Sequence, residues 1–567
     1  MKRKPRLTAV VLSACLLGTF AACTGGGSSG GSIVTETPGA SSAVSQQDEV
    51  PAAVNFNEIG MPIVKEKVEQ KVVFASDPVY TVDLGPEMYF FSEMENRTNV
   101  NFKFEKLSTD QWNERKNLMF AANELPDILM GGLSGGDIIT YSQAGQLLPL
   151  NDLVDKYMPD YKRILDSYPE SAKLYAPDGQ MYGIVNTMTG GSAETPGARA
   201  FINRKWAEAL GLKMPETYEE FYNMLVAFRD KDPDGNGEND TIPLSGYQTN
   251  QGGGISGYTV DCFVAGPLGI SFSNAKDQWQ IVDGKMVFVA EHPQYKQYLE
   301  NMHQLYTEKL LDNEYYTQND AQMKAKGENL KIGAYTYAAH FVLTGSTDPV
   351  VYGQYAVPQP LTSEVFKEKV WYGDTIGGTS IFFTNANEHP EISARYLNEI
   401  YTEEAAELMV GPVEGEWDGE GGRVWNEDKS GYTYHIPEGY NGIWDWTCKQ
   451  IAPVQSFQGN MQFSDVKAKE IKAPEDASFK DAMAANVAPY LRPNSPALFF
   501  TQEEMEETKL IETSIYTYWE QMEAKIVMGE EPLESYDTML EELKNQGLDR
   551  VTEVRNTAYA RYKEKQS

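Results

Sequence analysis

Val72-Val73-Phe74-Ala75, then Met88, Phe91 and Met94 at helical spacing, then Val100, Phe102 and Phe104 in alternation, form the stretch from which the fold is read. A short continuous apolar run reads as a buried strand, and apolar residues at every second position read as a strand with one covered face. Ser108 with Gln111 three residues on is a capping box for the next helix, through Trp112 and Met119; Leu125-Pro126-Asp127-Ile128-Leu129 then returns to strand. Strand, helix, strand, helix, strand predicts an α/β fold with a parallel-type sheet flanked by helices. Such sheets keep their ligand crevice at the carboxyl ends of the strands.

Working outward, Asp232-Pro233-Asp234-Gly235-Asn236-Gly237-Glu238-Asn239-Asp240-Thr241-Ile242-Pro243 reads as a calcium loop. Ca²⁺ takes six to eight hard oxygens, and an EF-hand loop supplies them at alternate positions around a sixth-place Gly. Asp232, Asp234, Asn236 and Asp240 hold the first, third, fifth and ninth places, Glu238 holds the seventh, where the backbone carbonyl is the usual ligand, and Gly237 holds the sixth. Pro243 stands where an EF-hand has its bidentate Glu, so another group or water must complete the site. The competing reading is a plain run of turn formers. Thr217 and Glu220 cap the preceding helix, whose Phe221, Met224, Leu225 and Phe228 face inward, so the ion is expected to be structural.

A chain of 567 residues exceeds one ordinary core and predicts at least two lobes. Lys2, Arg3, Lys4 and Arg6 precede an apolar run from Leu7 to Leu17 that is too short to span a membrane, so residues 1–22 read as a secretory signal. Ala21-Ala22-Cys23 resembles a lipobox, with Cys23 as lipid anchor; Phe20 replaces the usual Leu or Val, leaving ordinary signal-peptidase cleavage as the alternative. Either way the protein is exported. Residues 23–55 have the Gly, Ser and Thr content of a flexible tether. Loss of the four basic leader residues takes the net charge from −34 to −38, which opposes nucleic acid and anionic lipid heads as partners. Cys262 and Cys448 remain, either as a disulfide or as two buried thiols.

Phe120-Ala121-Ala122-Asn123-Glu124-Leu125-Pro126-Asp127-Ile128 resembles the first-lobe signature of extracellular solute-binding proteins of ABC importers, family 1. Leu147 to Leu153, Pro177 to Ile184, Asn203-Arg204-Lys205-Trp206, Pro215-Glu216-Thr217, His389-Pro390-Glu391, Glu414-Gly415-Glu416-Trp417 and the helices after Thr501 follow in the family's order. With the calcium loop, the chain is similar to the long branch that includes alginate- and oligosaccharide-binding lipoproteins. The resemblance implies a two-lobe periplasmic-binding-protein-like fold (class II) with C-terminal helices, closing on its ligand about a hinge. It sets lobe 1 at 56–190 and about 335–440, and lobe 2 at 191–334 and about 441–567, with the calcium loop in lobe 2. The first crossing falls between Val185 and Ala200. It further implies a monomer, lipid-anchored outside the cell, that binds an oligosaccharide or other small solute and passes it to ABC permease subunits.

A sugar needs flat aromatic rings for its C–H faces and polar groups for its hydroxyls. Trp371 with Asp374, Trp417 beside Glu416, and Trp444 and Trp446 about Asp445 set rings and acids together, and Tyr337 ends a strand without an acid in sequence. These are the expected ligand contacts, against the alternative that the rings pack in cores. A peptide or other solute remains a second ligand class. A surface glycoside hydrolase, with two carboxylates across the sugar bond, is the catalytic alternative; the reading taken is a binding protein without catalysis.

Overall fold

The computed structural model describes residues 56–76, 83–185, 199–238, 240–250, 255–273, 275–346, 348–373, 379–440, 442–452, 465–472, 474–496 and 498–566. The leader, Cys23, the tether, the first crossing at 186–198 and Asp374 lie outside them.

From the amino end come β1 (Val68–Ser76), α1 (Tyr89–Thr98), β2 (Val100–Ser108), α2 (Thr109–Ala122), β3 (Ile128–Met130), α3 (Gly135–Gln143) and β4 (Gly183–Val185). β1 runs parallel to β2 and to β3, with Val72 opposite Phe104 and Ile128. The capping box at Ser108 forms as expected. Alternate residues divide the two faces of this sheet. Val72, Phe74 and Ile128 enter one core with α1, while Val73 and Leu129 enter another with Trp112 and Phe120 of α2.

The chain then builds a second sheet from β5 (Arg199–Asn203), α4 (Tyr218–Asp230), β6 (Ile242–Ser245), α5 (Tyr295–Thr307), α6 (Asp320–Glu328), β7 (Ile332–Tyr337), α7 (His340–Thr344), α8 (Pro349–Tyr352) and β8 (Tyr355–Ala356). Its order is β8-β5-β7-β6, with β7 parallel to β6 and antiparallel to β5. β9 (Thr379–Phe383) returns to the first sheet between β3 and β4, antiparallel to both. Chain direction explains the mixture: β4 leaves the first sheet at the end where β9 enters, and β5 enters the second at the end where β7 stops. Gly183 of β4 lets Phe382 of β9 lie flat on it, since a Cβ there would meet that ring at 2.6 Å.

After β9 come α9 (Glu403–Val410), β10 (Gly422–Trp425), β11 (Tyr432–His435), α10 (Ile443–Trp446), α11 (Pro474–Asn486), α12 (Gln502–Met528) and α13 (Leu548–Gln566). Thr501 and Glu504 cap α12, and Gly529 ends it at φ +79°. Ile515, Trp519 and Ile526 of α12 are buried in the second core, and Arg550, Arg555 and Arg561 of α13 pair with Glu507, Glu512 and Glu504 along it.

The returns of the chain differ from expectation. Ile332–Tyr337 through Trp371 stay with the second sheet and core, past the expected return near 335. Trp446, Cys448 and Ile451 pack in the first core, past the expected departure near 441, and Ile471 is still bonded to Tyr432 of β11. An apolar run suits either sheet equally; pairing with β5 and β6 decides where β7 belongs. Cys262 and Cys448 are buried, unbridged thiols in different cores, so the disulfide alternative falls away. Burial pushes Cys262 up to about 12. Among the described residues no helix is long and apolar enough to cross a membrane.

Candidate ligand cleft and calcium loop

The carboxyl ends of β1, β3 and β4 and the amino end of β9 share one edge of the first sheet, the edge from which the chain crosses. Tyr89 is the first residue of α1, the helix between β1 and β2. Trp417 packs on Tyr89, with centroids 5.6 Å apart at 62°. The Trp417 ring folds over Gly419, where a Cβ would lie 2.2 Å from it. Burial, then the charges of Glu93 and others including Glu416, hold the Tyr89 hydroxyl above its usual range. Trp444 of α10 is 39% exposed.

The corresponding edge of the second sheet carries Tyr337 at the end of β7. Its hydroxyl donates to Asp320, the first residue of α6. Asp320 also accepts from the Tyr247 hydroxyl at 3.4 Å and pairs with Lys324 at 2.9 Å. Tyr258 leans on Tyr337 with centroids 4.3 Å apart, and Tyr247 meets Tyr258 edge-on at 6.0 Å. Tyr337 itself is buried and backs the two half-buried rings. Burial, then Asp320, drives the Tyr247 hydroxyl well upward, and burial with the bond to Asp320 does the same for Tyr337, so both remain donors. Among the described residues, Ser380 Oγ on β9 and Gln248 Oε1 just past β6 are buried without a hydrogen-bond partner.

Two expected contacts are placed elsewhere. Trp446 is fully enclosed in the first core beside Tyr434, and Trp371 is 4% exposed in the second core, edge-on to Phe272 at 5.5 Å. Neither ring has a free face to offer, because large rings exclude most apolar area when buried. Tyr89, Tyr247, Tyr258 and Asp320 were not read from the sequence. The available signals were the capping box of Asn319 with Gln322, which fixes Asp320 at a helix start, and the tyrosines flanking Gly252-Gly253-Gly254.

The loop after α4 draws its oxygens together. Asp232 accepts the N–H groups of Gly235 and Gly237 at 3.1 and 3.0 Å. The Asn236 amide donates to Asp234 at 2.9 Å and to Asp240 at 3.1 Å. Gly235 and Gly237 have φ of +73° and +80°, a conformation that favours Gly. Burial within the turn, and then Asp232 and Asp240, hold Asp234 above the usual carboxylate range. Lys331, at 2.8 Å, is the cation on Asp240. Among the described residues no three His, Cys, Asp or Glu side chains form a ready-made metal cluster. The loop fits calcium in donor type and phase but lacks a twelfth-position carboxylate, and turning the Asn236 amide over would present its oxygen in place of its donor.

The model of the family "bacterial extracellular solute-binding protein" matches residues 80–407. The fructooligosaccharide ABC transporter substrate-binding protein FusA of Streptococcus pneumoniae serotype 4 is 27% identical over 518 residues, 88% of this chain and 91% of FusA. The FusA structure with kestose superposes with a TM-score of 0.67 at 26% identity, and that of a FusA EF-hand mutant with fructo-nystose at 0.65 and 25%; each covers 88% of this chain and 100% of the other. The alginate-binding protein AlgQ2, solved without calcium ion, shares the fold at 20% identity, with a TM-score of 0.62 over 88% of this chain and 99% of its own. The two sheets with their separate cores, joined by returning crossings, are thus a two-lobe arrangement, and the chain belongs to the bacterial extracellular solute-binding proteins.

Proposed function

We propose that this chain captures a neutral oligosaccharide between its lobes and delivers it to the permease of an ABC importer. The observation that supports the reading is the pairing of ring faces with hydrogen-bonding groups on the crossing edge of the second sheet, Tyr258, Tyr247 and Asp320 backed by Tyr337; Trp417 on Tyr89, and the half-exposed Trp444, are the rings we assign to the facing lobe. Rings take the apolar faces of a sugar, and the carboxylate with its tyrosine hydroxyls takes the sugar hydroxyls. FusA, similar over most of both chains, is named for fructooligosaccharides, which makes kestose and fructo-nystose the first probes. Asp374 stays in the proposal as a contact by sequence, while Trp371 and Trp446 are left to the cores. Lobe 1 comprises 56–185 with 379–472, and lobe 2 comprises 199–372 with 478–566.

In this reading Asp232, Asp234, Asn236, the Glu238 carbonyl and Asp240 hold a structural Ca²⁺, which neutralises the loop's carboxylates and fixes the corner between α4 and β6. Cys23 carries the lipid that keeps the protein, a monomer, on the outer face of the cell membrane. Cys23→Ala is then expected to release the protein into the medium; equal retention on cells contradicts the anchor.

The reading of binding without catalysis is tested by incubating the protein with kestose, fructo-nystose and other neutral oligosaccharides, and separately with peptides. Sugars recovered intact together with a raised melting temperature support it. Cleaved sugar points to a glycoside hydrolase, and a shift with peptides alone points to a peptide carrier.

A further inference from the structure

Beneath α11, along the edge strand β8, lies a cavity of about 400 Å³ that none of the cleft residues lines. Met214, Val357, Phe479 and Ala482 give it apolar walls, His340 forms part of its lining and Arg204 stands beside them. His340 is 1% exposed. Its ring packs against Phe201, at 5.5 Å and 11°, and against Phe479, at 4.7 Å and 29°, two rings that also meet each other at 5.9 Å, with Tyr352 edge-on at 4.7 Å. Its Nδ1 is buried and has no hydrogen-bond partner among the described residues. Buried polar atoms are nearly always satisfied, and since His340 is part of the cavity's lining, the cavity is where a partner from outside the chain would sit. Burial, then the charge of Arg199, push His340 down to about 4, so the ring is neutral at physiological pH.

A depression of about 260 Å³ adjoins the cavity, sharing Arg204 and Gly353 with it, and Lys205, Glu208 and Val350 also line it. The Arg204 guanidinium donates to the Gly353 carbonyl at 3.2 Å and lies 3.8 Å from Glu208, and its side chain is 54% exposed. Arg204 and Lys205 stand with the single carboxylate of Glu208 at the mouth of this largely apolar cavity, a local excess of positive charge in a chain whose net charge is −34. An uncharged oligosaccharide has no use for them.

We propose that this cavity is a second binding site, for a small aromatic anion whose ring lies against Phe479 and Met214, whose polar substituent meets His340 Nδ1, and whose charge rests beside Arg204 and Lys205. The site lies under the helix with which the chain re-enters the second core after its last pairing with the first, at Ile471.

The test uses the full mature chain and the probe 8-anilinonaphthalene-1-sulfonate, with two aromatic groups and one sulfonate, titrated by fluorescence and calorimetry. One molecule is expected to bind per chain, with the uncharged N-phenyl-1-naphthylamine about tenfold weaker. Ala482→Trp, which fills the cavity, is expected to abolish binding, and Arg204→Ala to weaken it about tenfold. His340→Phe keeps the stack but removes the nitrogen, and is expected to weaken binding severalfold. Trp417→Ala is expected to leave the probe's affinity unchanged. If Ala482→Trp fails to fold, Met214→Trp serves the same purpose. Undiminished binding in a folded cavity-filled variant overturns the proposal, as does loss of binding in Trp417→Ala, which would put the dye in the cleft.

Discussion

In the loop after α4, Asp232, Asp234 and Asp240 have one lysine, Lys331, and the amide of Asn236 among them; around Lys276 in the same lobe, Asp261 and Glu523 are enclosed by donors. Lys276 pairs with Glu523 at 2.7 Å, both side chains fully buried, and its backbone N–H donates to Asp261 at 2.8 Å. Tyr298 donates to Asp261 at 2.8 Å, Tyr295 donates to Glu523, and the Trp519 indole donates to Tyr295 at 2.6 Å. The ammonium also lies over the rings of Tyr298 and Trp519, at 4.9 and 5.5 Å. Burial opposes the charge on Lys276, yet Glu523 and Asp261 hold it above its usual range. Around Lys276 the chain encloses these two carboxylates with its own donors; in the exposed loop the carboxylates take backbone N–H groups, one amide and one lysine, and in the proposed reading a cation from solution would supply the rest. In that reading the difference separates a centre that holds the fold from one that a chelator can reach.

The comparison breaks most sharply at Lys276. Lys276→Met leaves Glu523 without its cation, while Asp261 keeps the backbone N–H and Tyr298, and removing one partner of a buried pair costs about 3–5 kcal/mol. Urea unfolding is expected to show a loss of that size, unaffected by calcium; a loss below about 1 kcal/mol would mean the buried knot does not hold the lobe. Next in size is the loop. Calcium bound only by the folded chain stabilises it by about 2.7 kcal/mol at a hundredfold excess over its dissociation constant. A chelator is expected to lower the melting temperature, added Ca²⁺ to restore it, and Asp234→Ala to remove the response while sugar affinity is kept. A melting temperature indifferent to chelator rules the loop out as a calcium site.

The smallest effect concerns Glu520, which lies one turn from Glu523 on α12. Burial, then Glu523, push it up to about 7. A carboxyl raised in the folded state favours folding while both states are protonated, and that advantage is lost as pH rises from the ordinary carboxylate range through about 7. Glu520→Gln is therefore expected to stabilise the protein by roughly 1–2 kcal/mol at pH 8 and by little at pH 4.5, read from melting curves across that range. An equal gain at both ends would detach Glu520 from the network.

What could be read from the sequence was local. The capping boxes at Ser108, Thr217 and Thr501 and the first three strands announce themselves within a few residues, because they are built from neighbours. The proposed cleft is built from distant residues. Asp320 joins Tyr247, 73 residues away, only because α6 begins on the edge where β6 ends. Trp444 and Trp446 show the limit most plainly: one is 39% exposed and the other 0%. Two residues are more than half a turn apart on a helix, and α10 is a single turn, too short to display which face is apolar. Tyr337 was found as a strand end, but its acid came from another helix.

The central claim is that ring faces on both lobes bind one neutral sugar, and calorimetric titration with kestose and fructo-nystose tests it most directly. The folded wild-type chain is expected to bind one of them, or another neutral oligosaccharide, at one molecule per chain. Trp417→Ala and Tyr258→Ala are each expected to weaken that binding at least about tenfold, roughly 1.4 kcal/mol, with melting temperatures little changed. Undiminished affinity in both variants, or binding of peptides in place of every sugar, contradicts the account.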